Sequence, residues 1–217
     1  WDLQRALLLD PGIQAWVADD AKALLGNFSL RVTRDVLPRL PGLRAQVVHS
    51  DGHADNLLRA RPDAEEISGV IDFGDMVHAP LVQDLAVTLA GFARHGEMSL
   101  DNAVAQVEAW NAVLPLMDDE LEILHDLTLL RLATALALYD FRIRATEEPA
   151  AWLTQERPEI VRALARFLAL DRAEVHERYR AACGRVGLLP RHVDLAHLRM
   201  RRDRALGPSY RLFYDHP

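Results

Sequence analysis

The sequence predicts a mostly helical α+β fold, with a small β-hairpin beside a polar loop. Half of the 217 residues are hydrophobic and only 6% are aromatic, so the apolar content comes mainly from aliphatic side chains. Leu and Ala, which are abundant in the second half, favour helices. Short apolar runs bounded by turn residues, which are typical of strands, lie between residues 45 and 73. This composition provides enough apolar side chains for a sizeable core.

The first half of the chain combines short helices with short strands. Apolar residues at helical spacing predict a helix over 11–26, with Asp10 as its cap and Gly26-Asn27 as its end. A second short helix is expected over 29–37. Strands are predicted at residues 45–48, 56–60 and 67–73. A polar turn between the last two predicts a hairpin.

After Pro80 the pattern is helical. Helices are predicted over residues 81–95, 100–113, 118–143, 158–170 and 173–183. The one over 118–143 is apolar on all sides, so we expect it to be central and buried. Polar groups late on a buried helix need a partner, and two explanations for those found here remain open. Tyr139, Asp140 and Arg142 either bind a substrate or contribute to an internal ion pair.

Charge and composition argue against several classes of protein. The net charge of −7 argues against a nucleic-acid partner, because such proteins usually carry a clustered basic excess. The sequence contains no run of about 18 apolar residues and so does not predict a membrane span. Cys183 is the single cysteine, which excludes an internal disulfide and favours a cytoplasmic location.

Two polar segments follow apolar runs and contain the groups needed for phosphoryl transfer. Residues 49–56 read HSDGHADN, and the second run ends at Ile71-Asp72. Asp51 follows a buried strand and can accept the proton of a substrate hydroxyl. Asn56 and Asp72 offer the oxygen ligands that Mg²⁺ prefers. The pattern therefore predicts Asp51 as the base and Asn56 with Asp72 as metal ligands, for transfer from a nucleotide.

Other interpretations of the same loop remain open. His49 and His53 could brace the loop by hydrogen bonding. On an extended strand His49, Asp51 and His53 would instead share a face and could bind zinc in a hydrolase. The least specific interpretation is that Asp51, Asp55 and Asn56 only form a turn.

At these residues the chain resembles the aminoglycoside phosphotransferase and choline kinase-like family. The catalytic loop of that family reads His-Gly-Asp-x-His-x-x-Asn, and Ile-Asp-[Phe/Trp] follows it. Here HSDGHADN and Ile71-Asp72-Phe73 match, and the helix opening PLVQDLA at 80–86 is also similar. The resemblance implies a protein-kinase-like C-terminal lobe, ATP and Mg²⁺, Asp51 as base and Asn56 with Asp72 as ligands. It also implies that Asp84 ties the next helix to the loop.

Two details refine the resemblance. Ser50 stands where the family has Gly, a change that should be tolerated if the backbone angles are ordinary. The segment DFGDMVH at 72–78 is similar to hydroxylysine kinase-like members, which implies a small amino alcohol or related acceptor. Asp75 and His78, which follow the metal-binding strand, are then candidates to face the acceptor, although Asp75 could equally cap a turn.

The resemblance covers residues 1–185, which are expected to form the C-terminal lobe only. No Gly-rich loop precedes Asp51, so we expect a missing N-terminal lobe and little activity from this piece alone. The tail LGPSYRLFY at 206–214 resembles the opening of a class III pyridoxal-phosphate-dependent aminotransferase, which makes 186–217 a linker into a downstream domain. The alternative function is a non-catalytic kinase-like scaffold in such a multidomain polypeptide.

Overall fold

The computed structural model describes residues 2–5, 7–61, 63, 66–94, 99–147 and 149–185. Its α-helices are α1 (Pro11–Gln14), α2 (Asp19–Arg31), α3 (Leu81–Arg94), α4 (Leu100–Val113), α5 (Asp118–Ala145), α6 (Ala151–Leu168) and α7 (Arg172–Ala182). Its strands are β1 (Ala45–Val48), β2 (Leu57–Arg59), β3 (Ile67–Val70) and β4 (Val77–Pro80). The predicted mostly helical α+β class is confirmed. The predicted linker at 186–217 lies outside the described residues.

Helix α5 forms the centre of the core, as its pattern predicts. Nearly every side chain from Leu121 to Ala137 is buried, on all faces of the helix. The helix packs against α3, α6 and α7. Burial of each Leu contributes about 1.5–3 kcal/mol of transfer free energy, so this helix is a major source of stability. Packing on all faces therefore fixes the backbone of α5, and with it the position of each Cβ on this helix.

The predicted helix over 11–26 is wrong in its bounds. The chain leaves the helical path after α1, and α2 begins only at Asp19. The side chain of Asp140 stabilises this new start, because its Oδ2 accepts a hydrogen bond from the amide of the N-cap residue Ala18 at 2.8 Å. Asp10 does cap α1, since its Oδ1 accepts from the amides of Gly12 and Ile13.

Gly26-Asn27 does not end α2. Both residues are exposed, and the buried face of the helix continues past them through Phe28 and Val32. A π-turn (Val32–Val36) and a 3-10 helix (Leu37–Gly42) extend the helical path. A glycine on a solvated face costs a helix only about 1 kcal/mol, which the packing of the opposite face offsets.

Helix α6 begins seven residues before its predicted start, so Pro158 lies inside it. Proline in a helix interior removes one backbone hydrogen bond. Burial of Leu153 before the proline and Ile160 after it keeps the helix continuous. Helix α7 follows, and its N-cap Asp171 accepts from two backbone amides.

The strands form two separate antiparallel pairs. β2 pairs with β3 as the predicted hairpin, with Leu57 opposite Val70. β1 pairs with β4, with Val48 opposite Val77, and the sequence did not predict β4. The two polar segments therefore follow strands of different pairs, β1 and β3. Hydrogen bonds between loops join the two segments instead, as when the amide of Ile71 donates to the carbonyl of Asn56 at 3.0 Å.

Candidate active site

The loop that follows β1 is held by the first turns of α3. Oδ1 of Asp84 accepts a hydrogen bond from the amide of Ser50 at 2.7 Å, and Oδ2 accepts from the amide of His49 at 3.4 Å. A carboxylate that accepts backbone amides forms charge-assisted hydrogen bonds, which are stronger than neutral ones. Asp84 thus anchors the start of the loop to the helix.

The next two turns of α3 continue this contact. The hydroxyl of Thr88 donates to the carbonyl of Gly52 at 2.9 Å. At Gly91 an added Cβ would lie 2.8 Å from the Cβ of His53, so only glycine allows this approach. Asp84, Thr88 and Gly91 are spaced by four and three residues and so share one helical face. That face fixes the loop along about two turns of the helix.

Ser50 has a left-handed backbone, with φ of +64°. We expected serine to be tolerated here if its backbone angles were ordinary, and they are not. This conformation costs a non-glycine residue about 1–2 kcal/mol. The side chain compensates in part, because its Oγ accepts a hydrogen bond from Nε2 of buried Gln83 at 3.0 Å. Serine gains a partner here that glycine would lack.

Asp51 is buried, and both oxygens of its carboxylate are bound. Oδ2 lies 3.2 Å from Nε2 of His53 and accepts from Nδ2 of Asn56 at 3.2 Å. Oδ1 accepts from Nη2 of Arg131 at 3.0 Å. Burial raises the pKa of Asp51, but the hydrogen bond from His53 and the charge of Arg131 outweigh it and hold that pKa at about 2. Asp51 is therefore an ionised acceptor at neutral pH.

The residue that sequence reasoning missed is Arg131. It lies on α5, 80 residues beyond its partner Asp51, and is buried. A signal was present, because Arg131 is the one basic residue in the apolar stretch 127–138. Lone charges in buried helices are rarely left unpaired, so the stretch called for an acidic partner.

Asn56 lies against Asp51 and next to the segment that carries Asp72. Its Nδ2 donates both to the backbone carbonyl and to the carboxylate of Asp51, which leaves Oδ1 as the atom able to ligate a cation. The amide of Ile71 donates to the carbonyl of Asn56, and the carbonyl of Ile71 lies 2.9 Å from Nε2 of His49. Asp72 is thus attached to the loop through its preceding residue.

Asp72 is exposed and also has a left-handed backbone, with φ of +62°. Its Oδ1 lies 3.4 Å from the position that a Cβ on Gly74 would occupy. Strained non-glycine residues of this kind concentrate at functional sites. The residue is exposed, so a hard cation could reach its carboxylate from solvent.

The geometry argues against the zinc alternative. Both ring nitrogens of His49 face the backbone, since Nδ1 accepts from the amide of Asp51 and Nε2 lies beside the carbonyl of Ile71. Nε2 of His53 is directed at Asp51. Within the described part of the chain, no group of three or more His, Cys, Asp or Glu side chains is arranged to hold a metal ion. The histidines brace the loop.

The sequence model of the phosphotransferase enzyme family, APH, matches residues 1–116 of the 217. The chain belongs to this family. The match includes Asp51, Asn56, Asp72 and Asp84, and it confirms the family to which the sequence motifs pointed. Hydroxylysine kinase of Danio rerio is 27% identical over 182 residues, which make up 82% of this chain and 51% of that protein. The chain thus spans about half the length of this relative.

Asp75 and His78 are the two remaining candidates from the sequence. Asp75 is half-buried at the end of a 3-10 turn (Phe73–Asp75). His78 is exposed on β4, and its backbone carbonyl accepts a hydrogen bond from Gln4 at 3.0 Å. That either faces an acceptor stays a prediction.

The polar residues late on α5 have structural partners. Asp140 binds Arg157 of α6 as well as the amide of Ala18. The hydroxyl of Tyr139 donates to Glu156 at 2.7 Å, and Arg142 is exposed. For Asp140, the structure supports the internal ion pair over substrate binding.

Across the described segments, no helix combines the length and the apolar character that a membrane crossing requires.

Proposed function

We propose that this chain is the C-terminal catalytic lobe of an ATP- and Mg²⁺-dependent phosphotransferase that acts on a hydroxyl group of a small, amine-bearing molecule. The observation that carries the proposal is the buried, ionised carboxylate of Asp51, held beside Asn56 and the Ile71–Asp72 segment. Membership of the phosphotransferase family supports the reaction class.

The donor chemistry at the site suits magnesium. The amide oxygen of Asn56 and the carboxylate of Asp72 are hard oxygen ligands, and Mg²⁺ commonly takes one or two protein ligands together with phosphate oxygens and water. The absence of a larger His, Cys, Asp and Glu cluster among the described residues fits an ion that is shared with a nucleotide. When bound, the ion would offset negative charge on the phosphates.

Asp51 would act on the acceptor hydroxyl in two ways. Before transfer it would accept the hydrogen bond of the hydroxyl and so point the oxygen at the γ-phosphorus. As the new O–P bond forms and the bond from phosphorus to the ADP oxygen breaks, the hydroxyl proton would pass to Asp51. A carboxylate with a pKa of about 2 is a weak base, so the proton would move late, when the hydroxyl has become acidic.

Negative charge around the loop supports an acceptor with an amine. The side chain of Asp55 is 68% exposed. Asp72, in the second polar segment, is also exposed. The chain as a whole carries a net charge of −7. Such a field raises the local concentration of cationic substrates and speeds their association. Hydroxylysine, the compound in the name of the Danio rerio relative, is an acceptor of this class.

The test is a nucleotide-consumption assay on the native polypeptide that contains this chain, with ethanolamine, choline, hydroxylysine and an aminoglycoside as acceptors. We expect ADP and a phosphorylated product with at least one of them. Asp51→Asn should abolish turnover while it keeps an oxygen for Arg131, whereas Asp51→Ala would also remove the carboxylate that buried Arg131 binds and so would destabilise the fold. Asp101→Asn, at an exposed position on α4, is the matched control.

Two outcomes would contradict the proposal. Full turnover in folded Asp51→Asn would exclude the assigned base. No phosphorylation of any hydroxyl acceptor would favour the non-catalytic scaffold. The 217-residue chain alone is expected to show little turnover, and robust activity would mean that the expected N-terminal lobe is not needed.

A further inference from the structure

We propose that Arg131 is a positioning residue for the catalytic carboxylate. It fixes the rotation of the Asp51 side chain by binding the carboxylate oxygen that His53 and Asn56 do not bind. The inference rests on the proposed phosphotransferase function. Arg131 would not touch the substrate. It would act only through Asp51, and so would set how well the carboxylate is aimed at the acceptor hydroxyl.

The contacts of Asp51 divide between two independent parts of the fold. Oδ2 is held by His53 and Asn56, which belong to the loop itself. Oδ1 is held by Arg131, which belongs to the central helix α5. A carboxylate that is bound at only one oxygen can still rotate about its Cβ–Cγ bond. The second anchor, from a rigid element, removes that freedom and couples the loop to the core.

The burial of Arg131 is itself informative. Moving a guanidinium out of water carries a penalty, and a buried ion pair is often no more stabilising than an apolar pair of similar size. Its neighbours on α5 are buried apolar residues such as Leu130 and Leu132. Stability alone therefore gives little reason for a charge at this position. Alignment of Asp51 does give one, because catalysis falls steeply when reacting groups are misplaced by about 1 Å.

The chain offers a closely matched control for a purely structural role. Arg180 of α7 binds Asp118 with an Nη1–Oδ1 distance of 3.0 Å, the same as the Arg131–Asp51 distance. The Arg180 and Asp118 side chains are 9% and 17% exposed, against 6% and 11% for Arg131 and Asp51. The two pairs thus share chemistry, distance and burial. They differ in that Asp51 belongs to the loop, whereas Asp118 begins α5 and is also bound by Arg185.

Steady-state kinetics of the native polypeptide test the proposal. Arg131→Met should lower kcat on the order of 10- to 100-fold, as for other residues that orient a reactive group, with KM for the acceptor and for ATP within about twofold. Arg131→Lys should recover part of the loss, because lysine keeps the charge but not the planar fork. Arg180→Met should leave kcat unchanged.

Amide hydrogen exchange of the 217-residue chain provides a readout that does not need activity. The amides of His53 and Asn56 are hydrogen-bonded within the loop, to the carbonyls of Asp51 and His53. Exchange at both should be faster in Arg131→Met, and in the milder Arg131→Lys if the first variant folds poorly, but not in Arg180→Met. The comparison remains decisive even if the native polypeptide proves to have no kinase activity.

Three results would overturn the proposal. One is an unchanged kcat in Arg131→Met. Another is an equal fall in kcat for Arg180→Met, which would indicate a general effect of lost stability. The third is equal exchange at the His53 and Asn56 amides in the two methionine variants. Loss of phosphotransfer in every form of the polypeptide would instead count against the proposed function.

Discussion

Replacement of Gly91 by alanine is a direct test of the close contact between α3 and the catalytic loop. The added Cβ would lie 2.8 Å from the Cβ of His53 and 3.6 Å from its Cα. Neither atom is the end of a flexible side chain, so rotation of His53 cannot relieve the overlap. The loop backbone itself would have to move away from the helix.

The size of the effect follows from a comparison with Gly26. Gly26 lies on an exposed face of α2, where an added Cβ meets no atom within 4 Å. There alanine should raise the free energy of unfolding by about 1 kcal/mol, the difference in helix propensity. At Gly91 the same gain applies, but overpacking costs about 1–3 kcal/mol. Gly91→Ala should therefore range from neutral to about 2 kcal/mol less stable than the wild type.

Urea denaturation of the two variants and the wild type, followed by circular dichroism, measures this difference. Gly26→Ala controls for propensity, so the gap between the variants reports the steric term alone. We also expect Gly91→Ala to lower kcat in the native polypeptide, because the loop carries Asp51. Equal stabilisation by both alanines would refute the close approach and with it the role of α3 as the support of the loop.

Three further predictions concern Ser50, His125 and Asp140. Ser50→Gly and Ser50→Ala both remove the partner of Gln83, but the glycine variant should be about 1 kcal/mol more stable in urea denaturation because only it adopts φ of +64° without strain, and equal stability would contradict this. Burial lowers the pKa of His125 to about 4, so the folded state favours the neutral imidazole. The unfolded chain binds a proton more readily, and the free energy of unfolding should therefore fall as the pH drops below about 6.5 towards 4. Between pH 7 and 5 this loss is about 2 kcal/mol for the wild type, and a His125→Leu variant that lost as much would disprove the assignment. Asp140→Ala should lower the free energy of unfolding by about 1–3 kcal/mol, since it removes one of the two carboxylates that bind Arg157 and the acceptor of the Ala18 amide, and a thermal melt within a degree of the wild type would exclude that role.

The sequence predicted α3, α4 and α5 well because their periodicity is local. Helix α4 has the predicted bounds, and α5 differs by two residues at its end. The late start predicted for α6 has a local cause, Pro158, whereas the errors at α2 and β4 have long-range causes. The start of α2 depends on Asp140, 122 residues away, and β4 forms only because β1 pairs with it. Neither cause leaves a mark in the residues close to the error.

The candidate site divides in the same way. The sequence pattern predicted Asp51, Asn56 and Asp72 because each lies within a short, recognisable motif. It could not supply the surroundings of Asp51, since Arg131 comes from a helix much later in the chain. It also could not show that Ser50 is left-handed, because that conformation depends on the anchoring of the loop by α3.

The position of Arg131 has a practical consequence for anyone who trims this protein for expression. The family match ends at residue 116, and α5 begins at Asp118. A clone cut at that border would retain every motif residue yet lose the counter-ion of Asp51, together with the longest apolar helix among the described elements. We expect such a clone to aggregate, so the smallest useful boundary lies after α7 rather than where the recognisable motifs stop.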